Sequence, residues 1–126
     1  MERIPILKMG DFLLVTIQVD MHDRLTMTLQ DDLTSRIVDT GAAIAIIDIT
    51  GVPTVDTLVA QHLLKTVTAI RLMGADCIIS GIRPQIAQTI VHLGIELDGI
   101  TTKATLADAL ALAFKRSGLV VSKAKA

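Results

Sequence analysis

The chain has 126 residues, of which 51% are apolar, and its 13 acidic and 12 basic residues leave a net charge of −1 at pH 7. This length allows one domain with one hydrophobic core, and the apolar content excludes global disorder. The balanced charge excludes nucleic acid as an expected partner, because binding to phosphate backbones needs clustered and uncompensated Lys and Arg.

The cysteine content and the apolar stretches bear on the compartment. Cys77 is the only cysteine, so neither a disulfide framework nor a cysteine-based metal site is expected. Residues 1–5 lack the apolar stretch of a signal peptide, and no apolar stretch reaches the ~18 residues that span a bilayer. These features predict a cytoplasmic protein with no membrane contact. The apolar surplus of so small a domain predicts a homo-oligomer.

The N-terminal third of the chain predicts a hairpin followed by a helix. Residues 4–9 and 12–19 are two β-type runs, and the Gly10-Asp11 break between them is typical of a β-hairpin. After a polar turn, apolar residues recur at four-residue spacing and predict a helix that ends near Gly41. That apolar stripe consists of Leu25, Leu29, Leu33 and Ile37.

The middle of the chain predicts two buried strands, each followed by a helix. Residues 43–49 are almost continuously apolar, as is usual for a strand that is buried on both faces, and residues 76–80 predict another buried strand. Turn residues at 50–53 follow the first strand and lead to a helix over 57–73. The second strand leads through a tight turn to a helix over 84–93, which begins with proline.

The end of the chain predicts an edge strand near residues 95–100, a helix over 105–115 and a flexible tail over 118–126. Strands that alternate with helices predict an α/β fold. We expect a mixed, mostly parallel sheet with an N-terminal hairpin, packed by about four helices, in a single domain over residues 1–117.

Two loops, residues 50–56 and 81–84, follow the carboxyl ends of the predicted parallel strands, where partners and ligands of such sheets bind. The first loop leads into a helix whose first turn holds Thr57. Unpaired amide groups at a helix start carry partial positive charge, which would help to hold a phosphate on that hydroxyl. The local sequence also fits a simpler interpretation, in which Asp56 is an ordinary N-cap and Thr57 an ordinary first-turn residue.

No catalytic or metal site can be assembled from the sequence. The histidines, His22, His62 and His92, are far apart and lack a second ligand at helical spacing. Cys77 lies in a predicted buried strand, where it is expected to behave as a small hydrophobe. The glycine-rich motifs that cradle phosphates are absent. We therefore expect neither an enzyme nor a bound metal or cofactor.

The order of the predicted elements, with Asp-Thr at a helix start and Gly-x-x-Pro after the next strand, resembles that of a STAS domain over about residues 4–115. This module is shared by anti-sigma-factor antagonists and the tails of sulfate transporters. Residues 4–8 and 13–18 resemble the RsbS type of stressosome scaffold protein. Residues 48–57 and 81–90 resemble the RsbR type, which also carries a sensor domain.

The resemblance implies a non-catalytic anti-sigma-factor antagonist and stressosome scaffold that regulates the stress response. Its family is phosphorylated on Ser or Thr at the start of this helix, where Thr57 matches. A serine/threonine switch kinase of the RsbT type would dock here, phosphorylate Thr57 and be released, with a phosphatase for reset. Paralogous STAS scaffold proteins would co-assemble with the chain. Because the RsbS type usually carries Ser at this position, the choice between an RsbS-type and a sensorless RsbR-type scaffold stays open.

The partner-binding surface is expected around Thr57. Asp56 would order the loop as a cap, and Arg83 would meet the phosphate or the kinase. The apolar or small members of this surface are expected to be Val52, Pro53, Thr54, Val55 and Leu58. Further acceptors also stay open, the candidates being Thr40, Thr50, Thr54 and Ser80. So does a different function, in which the same helix starts hold an anion or nucleotide in a sensor or a transport regulator.

Overall fold

The computed structural model describes residues 4–18, 23–53, 55–92, 94 and 100–118. Its N-terminal hairpin pairs β1 (Ile6–Met9) with β2 (Phe12–Thr16). In chain order the remaining elements are α1 (Asp23–Thr40), β3 (Ile44–Asp48), α2 (Thr57–Leu72), β4 (Asp76–Ser80), α3 (Pro84–His92), β5 (Thr101–Lys103) and α4 (Leu106–Arg116).

The five strands of the described residues form one sheet in the order β1-β2-β3-β4-β5. β1 is antiparallel to β2, whereas all later neighbours are parallel. A parallel neighbour cannot be reached by a tight turn, so α1, α2 and α3 each lie in a crossover between strands. The order of the strands in space equals their order in the chain, and each new strand pairs with the one before it.

The sheet is covered on both faces, which is why β2 and β3 are almost entirely apolar and four of the five residues of β4 are buried. One face packs against α1, α2 and α3 and forms the larger core. The other face packs against α4, where the rings of Phe12 and Phe114 meet edge to face with their centroids 5.4 Å apart. Ala109 and Ala113 are fully buried beneath α4, and their small side chains allow the helix to lie close to the strands.

The predicted sheet, hairpin and four helices are confirmed. The hairpin strands are shorter than expected, and the edge strand that the structure describes is β5 at Thr101–Lys103, directly after the range of 95–100 in which a strand was expected. Residues 95–99 themselves lie outside the described residues, as do residues 119–126 of the expected tail. None of the helices that the structure describes is long and apolar enough to cross a bilayer.

Candidate functional site

The candidate site is the segment that joins β3 to α2, residues 49–57, which we call the acceptor loop. It opens with a tight turn, in which the backbone N–H of Val52 donates to the carbonyl of Ile49 at 3.0 Å. Pro53 follows this turn and is exposed. At the other end of the loop, Thr57 is the first residue of α2 and is also exposed. The loop thus presents a threonine to solvent at a helix start.

Asp56 caps the helix that Thr57 begins. Its Oδ1 accepts a hydrogen bond from the backbone N–H of Val59 at 2.8 Å, and its carbonyl accepts from the N–H of Ala60 at 3.0 Å. Its backbone is extended, as is usual for an N-cap, so the predicted cap is confirmed. The first amides of a helix have no intrahelical acceptor, and they give the surroundings of Thr57 a partial positive charge.

A buried carboxylate fixes the beginning of the acceptor loop. Asp48, the last residue of β3, is 6% exposed, and its Oδ1 accepts hydrogen bonds from the hydroxyls of Thr50 at 2.8 Å and Ser80 at 2.7 Å. Ser80 ends β4 directly opposite Asp48, so this network ties the loop to the neighbouring strand. Ser80 is completely buried, and a kinase cannot reach its hydroxyl in the folded domain. The folded domain therefore does not present Ser80, one of the further acceptors left open, to solvent.

Gly81 brings the loop after β4 into direct backbone contact with the acceptor loop. Its φ of 80° lies in the left-handed region that glycine tolerates and other residues avoid. A Cβ at this position would lie 2.2 Å from Oγ1 of Thr50 and 2.5 Å from the Thr50 nitrogen. The two loops at this edge of the sheet therefore pack without room for a side chain between them.

Arg83 crosses from the start of α3 to the acceptor loop. Its Nη2 donates hydrogen bonds to the carbonyls of Val52 and Pro53, the second at 3.1 Å. Its Nε is buried and has no hydrogen-bond partner among the described residues. A cleft of about 290 Å³ lies beside the guanidinium, between the loop and α3. The residues lining this cleft are Pro53, Val55, Arg83, Gln85, Ile86 and Thr89.

The structure corrects part of the predicted partner-binding surface. Val52 and Val55 were expected to offer apolar docking surface, but they are 0% and 8% exposed. Both side chains point into the larger core and anchor the acceptor loop there. Pro53 and Leu58 are exposed, Leu58 by 46%, and they form the apolar surface on either side of the loop. Thr54 lies outside the described residues.

The signals for the Asp48 and Arg83 contacts are weak in the sequence. Asp48 is a single acidic residue at the end of an apolar strand, followed two positions later by Thr50, and this spacing could have suggested a local hydrogen bond. The contact of Arg83 with the loop joins residues 31 positions apart. No local pattern reports a contact of that kind.

The STAS domain family matches residues 3–109, which is most of the chain. The chain therefore belongs to the STAS family.

Within that family, the chain is similar to proteins of Bacillus subtilis that are named RsbT co-antagonists. It is 50% identical to RsbT co-antagonist protein RsbRA over 78 residues and 51% identical to RsbT co-antagonist protein RsbRD over 65 residues. These alignments cover 62% and 52% of this chain, but 28% and 23% of the two relatives. The match thus spans about a quarter of the length of these relatives.

Solved structures show the same fold. A variant of RsbS from Moorella thermoacetica superposes with a TM-score of 0.81 at 26% identity, covering 94% of this chain and 100% of that one. A chain from the structure described as the molecular architecture of the stressosome, a signal integration and transduction hub, gives a TM-score of 0.73 at 25% identity. That match covers 90% of this chain and 98% of the other. The predicted STAS-like fold is confirmed.

Proposed function

We propose that this chain is a non-catalytic anti-sigma-factor antagonist of the stressosome, which docks a serine/threonine switch kinase of the RsbT type and is phosphorylated on Thr57. The observation that carries the proposal is the placement of Thr57, exposed at the capped start of α2. The similarity to two proteins named RsbT co-antagonists supports the choice of partner.

In the proposed reaction the chain itself provides only the accepting hydroxyl. A bond forms between Oγ1 of Thr57 and the γ-phosphorus of ATP, the bond from that phosphorus to the bridging oxygen breaks so that ADP leaves, and the hydroxyl proton passes to a base of the kinase. The kinase supplies the nucleotide site and the metal, while this chain supplies a reachable hydroxyl on a fixed loop. The first amides of α2 would then stabilise the phosphate through their partial positive charge.

The same phosphate would weaken the docked complex and release the kinase. It adds about −1.5 to −2 charges beside the carboxylate of Asp56, on a surface that also contains the exposed Pro53 and Leu58. An apolar contact patch that acquires such a charge loses affinity, because the charge must be desolvated in the complex. A phosphatase would reverse the change and restore docking.

We also propose that copies of this chain assemble with paralogous STAS scaffold proteins in the cytoplasm. The structural match to a chain of the stressosome supports such an assembly. Large apolar side chains that remain exposed support an interface between copies. These include Val38 at 72%, Leu72 at 84% and Val91 at 74% exposure.

The test of the acceptor is phosphate transfer to Thr57→Ala, with Thr68→Ala as the matched control. Thr68 is an exposed threonine of the same helix, and its hydroxyl donates to the carbonyl of Leu64. After incubation with the switch kinase, ATP and magnesium, the wild-type chain and Thr68→Ala should each gain one phosphate by intact mass, mapped to Thr57. Thr57→Ala should gain none and still bind the kinase.

Phosphorylation of Thr57→Ala at the full rate would contradict the assignment of the acceptor. Failure of the wild-type chain to bind the kinase at all would contradict the proposed function.

A further inference from the structure

Among the described residues, side-chain hydrogen bonds hold the acceptor loop at its beginning, at its middle and at its end, and those at its middle come from Arg83. The Asp48 network holds its beginning, and the Asp56 cap holds its end. Arg83 holds the stretch between them, because its Nη2 donates to the carbonyls of two successive residues, Val52 and Pro53. Two adjacent peptide groups are thereby fixed to the start of α3.

The environment of Arg83 is typical of a side chain that fixes a neighbouring loop and not of one that presents its charge to a docking partner. The side chain is half-buried, and its Nε lies in the protein interior without a partner among the described residues. A charged group intended for a docking partner would be expected to keep its polar atoms in solvent, since burial of an unpaired donor is unfavourable. Here part of the guanidinium is buried, and Nη2 is bonded to the loop.

We propose that Arg83 is a positioning residue for phosphate transfer to Thr57. By holding the carbonyls of Val52 and Pro53 it fixes the path of the acceptor loop, and with it the position of the Thr57 hydroxyl relative to a docked kinase. This inference rests on the proposed function and specifies how its acceptor is presented. It replaces the expectation that Arg83 itself meets the phosphate or the kinase.

The expected effect is on the rate of transfer more than on affinity. Transfer requires the attacking oxygen to lie in line with the phosphorus, and a misplacement of about 1 Å can cost roughly 100-fold in rate. The binding surface of Pro53 and Leu58 should remain exposed when the Arg83 hydrogen bonds are lost, so the kinase should still dock. A direct contact between Arg83 and the kinase would instead change affinity and would depend strongly on salt.

The experiment compares Arg83→Ala and Arg83→Lys with Arg71→Ala. Arg71 lies in the last turn of α2, is exposed and is at the far end of that helix from Thr57, so it controls for the loss of one positive charge. Steady-state transfer with the kinase gives kcat and KM for each variant at low and high salt. Hydrogen exchange of the amides in residues 52–57 reports the order of the loop without any kinase, and thermal unfolding checks the fold.

We expect Arg83→Ala to lower kcat by at least about 10-fold with KM nearly unchanged, and to speed exchange in residues 52–57. Arg83→Lys, which retains a donor at this position, should recover part of both losses. Arg71→Ala should behave as wild type in both measurements.

Two results would overturn the proposal. One is unchanged hydrogen exchange and unchanged kcat in Arg83→Ala, since the Arg83 hydrogen bonds would then not order the acceptor loop. The other is a loss confined to KM that high salt reproduces in the wild-type chain, which would make Arg83 a kinase contact. If the wild-type chain accepts no phosphate, the proposed function fails and the positioning role of Arg83 in phosphate transfer fails with it. The exchange measurement still shows in that case whether Arg83 holds the loop.

Discussion

The contact between Gly81 and Thr50 shows how closely two loops can pack when one residue lacks a side chain. The hydroxyl of Thr50 donates to the Asp48 carboxylate, and the backbone of Gly81 packs against the same residue. A side chain at position 81 must therefore move Thr50 or break its hydrogen bond to Asp48. Thr50 and Gly81 thus pack in a space that leaves no room for a larger residue at position 81.

Substitution of Gly81 should lower the free energy of unfolding by more than its backbone conformation alone explains. Gly74 has a φ of 89° and no atom within 4 Å of the point that a Cβ would occupy, so Gly74→Ala should cost about 1 kcal/mol for the left-handed backbone. Gly81→Ala carries a similar backbone cost and must also push Thr50 away, so we expect roughly 1–3 kcal/mol more. Urea unfolding of the two variants measures the difference, and equal losses would show that the loops separate without cost.

The residues of the site differ in how far the sequence could predict them. The Asp56 cap joins a side chain to an amide three residues later, and local spacing is enough to predict such a contact. Val52 and Val55 were misplaced because composition shows that a loop is apolar, but not which way its side chains turn. The role of Arg83 depends on the packing of α3 beside the acceptor loop, and that packing is a tertiary property.

Among the helices that the structure describes, α4 differs from the others because it packs by itself on its face of the sheet. Its inner side alternates small and large residues, with Ala109 and Ala113 against the strands and Phe114 against Phe12. The sequence predicted α4 to within a residue at each end, because its apolar spacing is regular and Thr105 provides an N-cap. β5 was harder to predict, since three residues with a polar composition carry little signal of a strand.

The tight fit of α4 predicts a strong contrast between two alanines of this helix. Ala113 is 0% exposed, so Ala113→Leu should overpack the contact with the sheet and cost about 1–3 kcal/mol in the free energy of unfolding. Ala111 is exposed on the same helix, and Ala111→Leu should change stability by less than about 0.5 kcal/mol. Chemical unfolding of both variants tests this. A neutral Ala113→Leu would mean that α4 can shift away from the sheet without loss.

For the molecule as a whole, Cys77 provides a reporter of global unfolding. It lies in the central region of the sheet on β4, and burial raises the pKa of its thiol from 9.0 to about 12. The thiol therefore stays protonated and unreactive at pH 8 in the folded chain. Because the raised pKa favours the folded state only while the thiol is protonated, this contribution is present below pH 9 and is lost as the pH rises from about 9 to about 12.

Labelling of Cys77 by a thiol reagent at pH 8 should accordingly be slow in buffer and become fast across the urea unfolding transition. Its rate should follow the population of unfolded chains, and the core variant Ala113→Leu should accelerate it more than Ala111→Leu does. Labelling in buffer at the rate of a free thiol would contradict this, and would show that β4 opens locally.

The agreement between chain order and strand order has a consequence for synthesis on the ribosome. Each strand that emerges can pair with a strand already present, so the sheet can grow outward from the hairpin as translation proceeds. Thr57 emerges early, but Ser80, Gly81 and Arg83, which shape the loop before it, come later. A nascent or truncated chain that ends before β4 therefore carries Thr57, the proposed acceptor, without the later residues that shape the loop before it. A partner protein that binds only the fully formed loop would therefore distinguish completed domains from fragments.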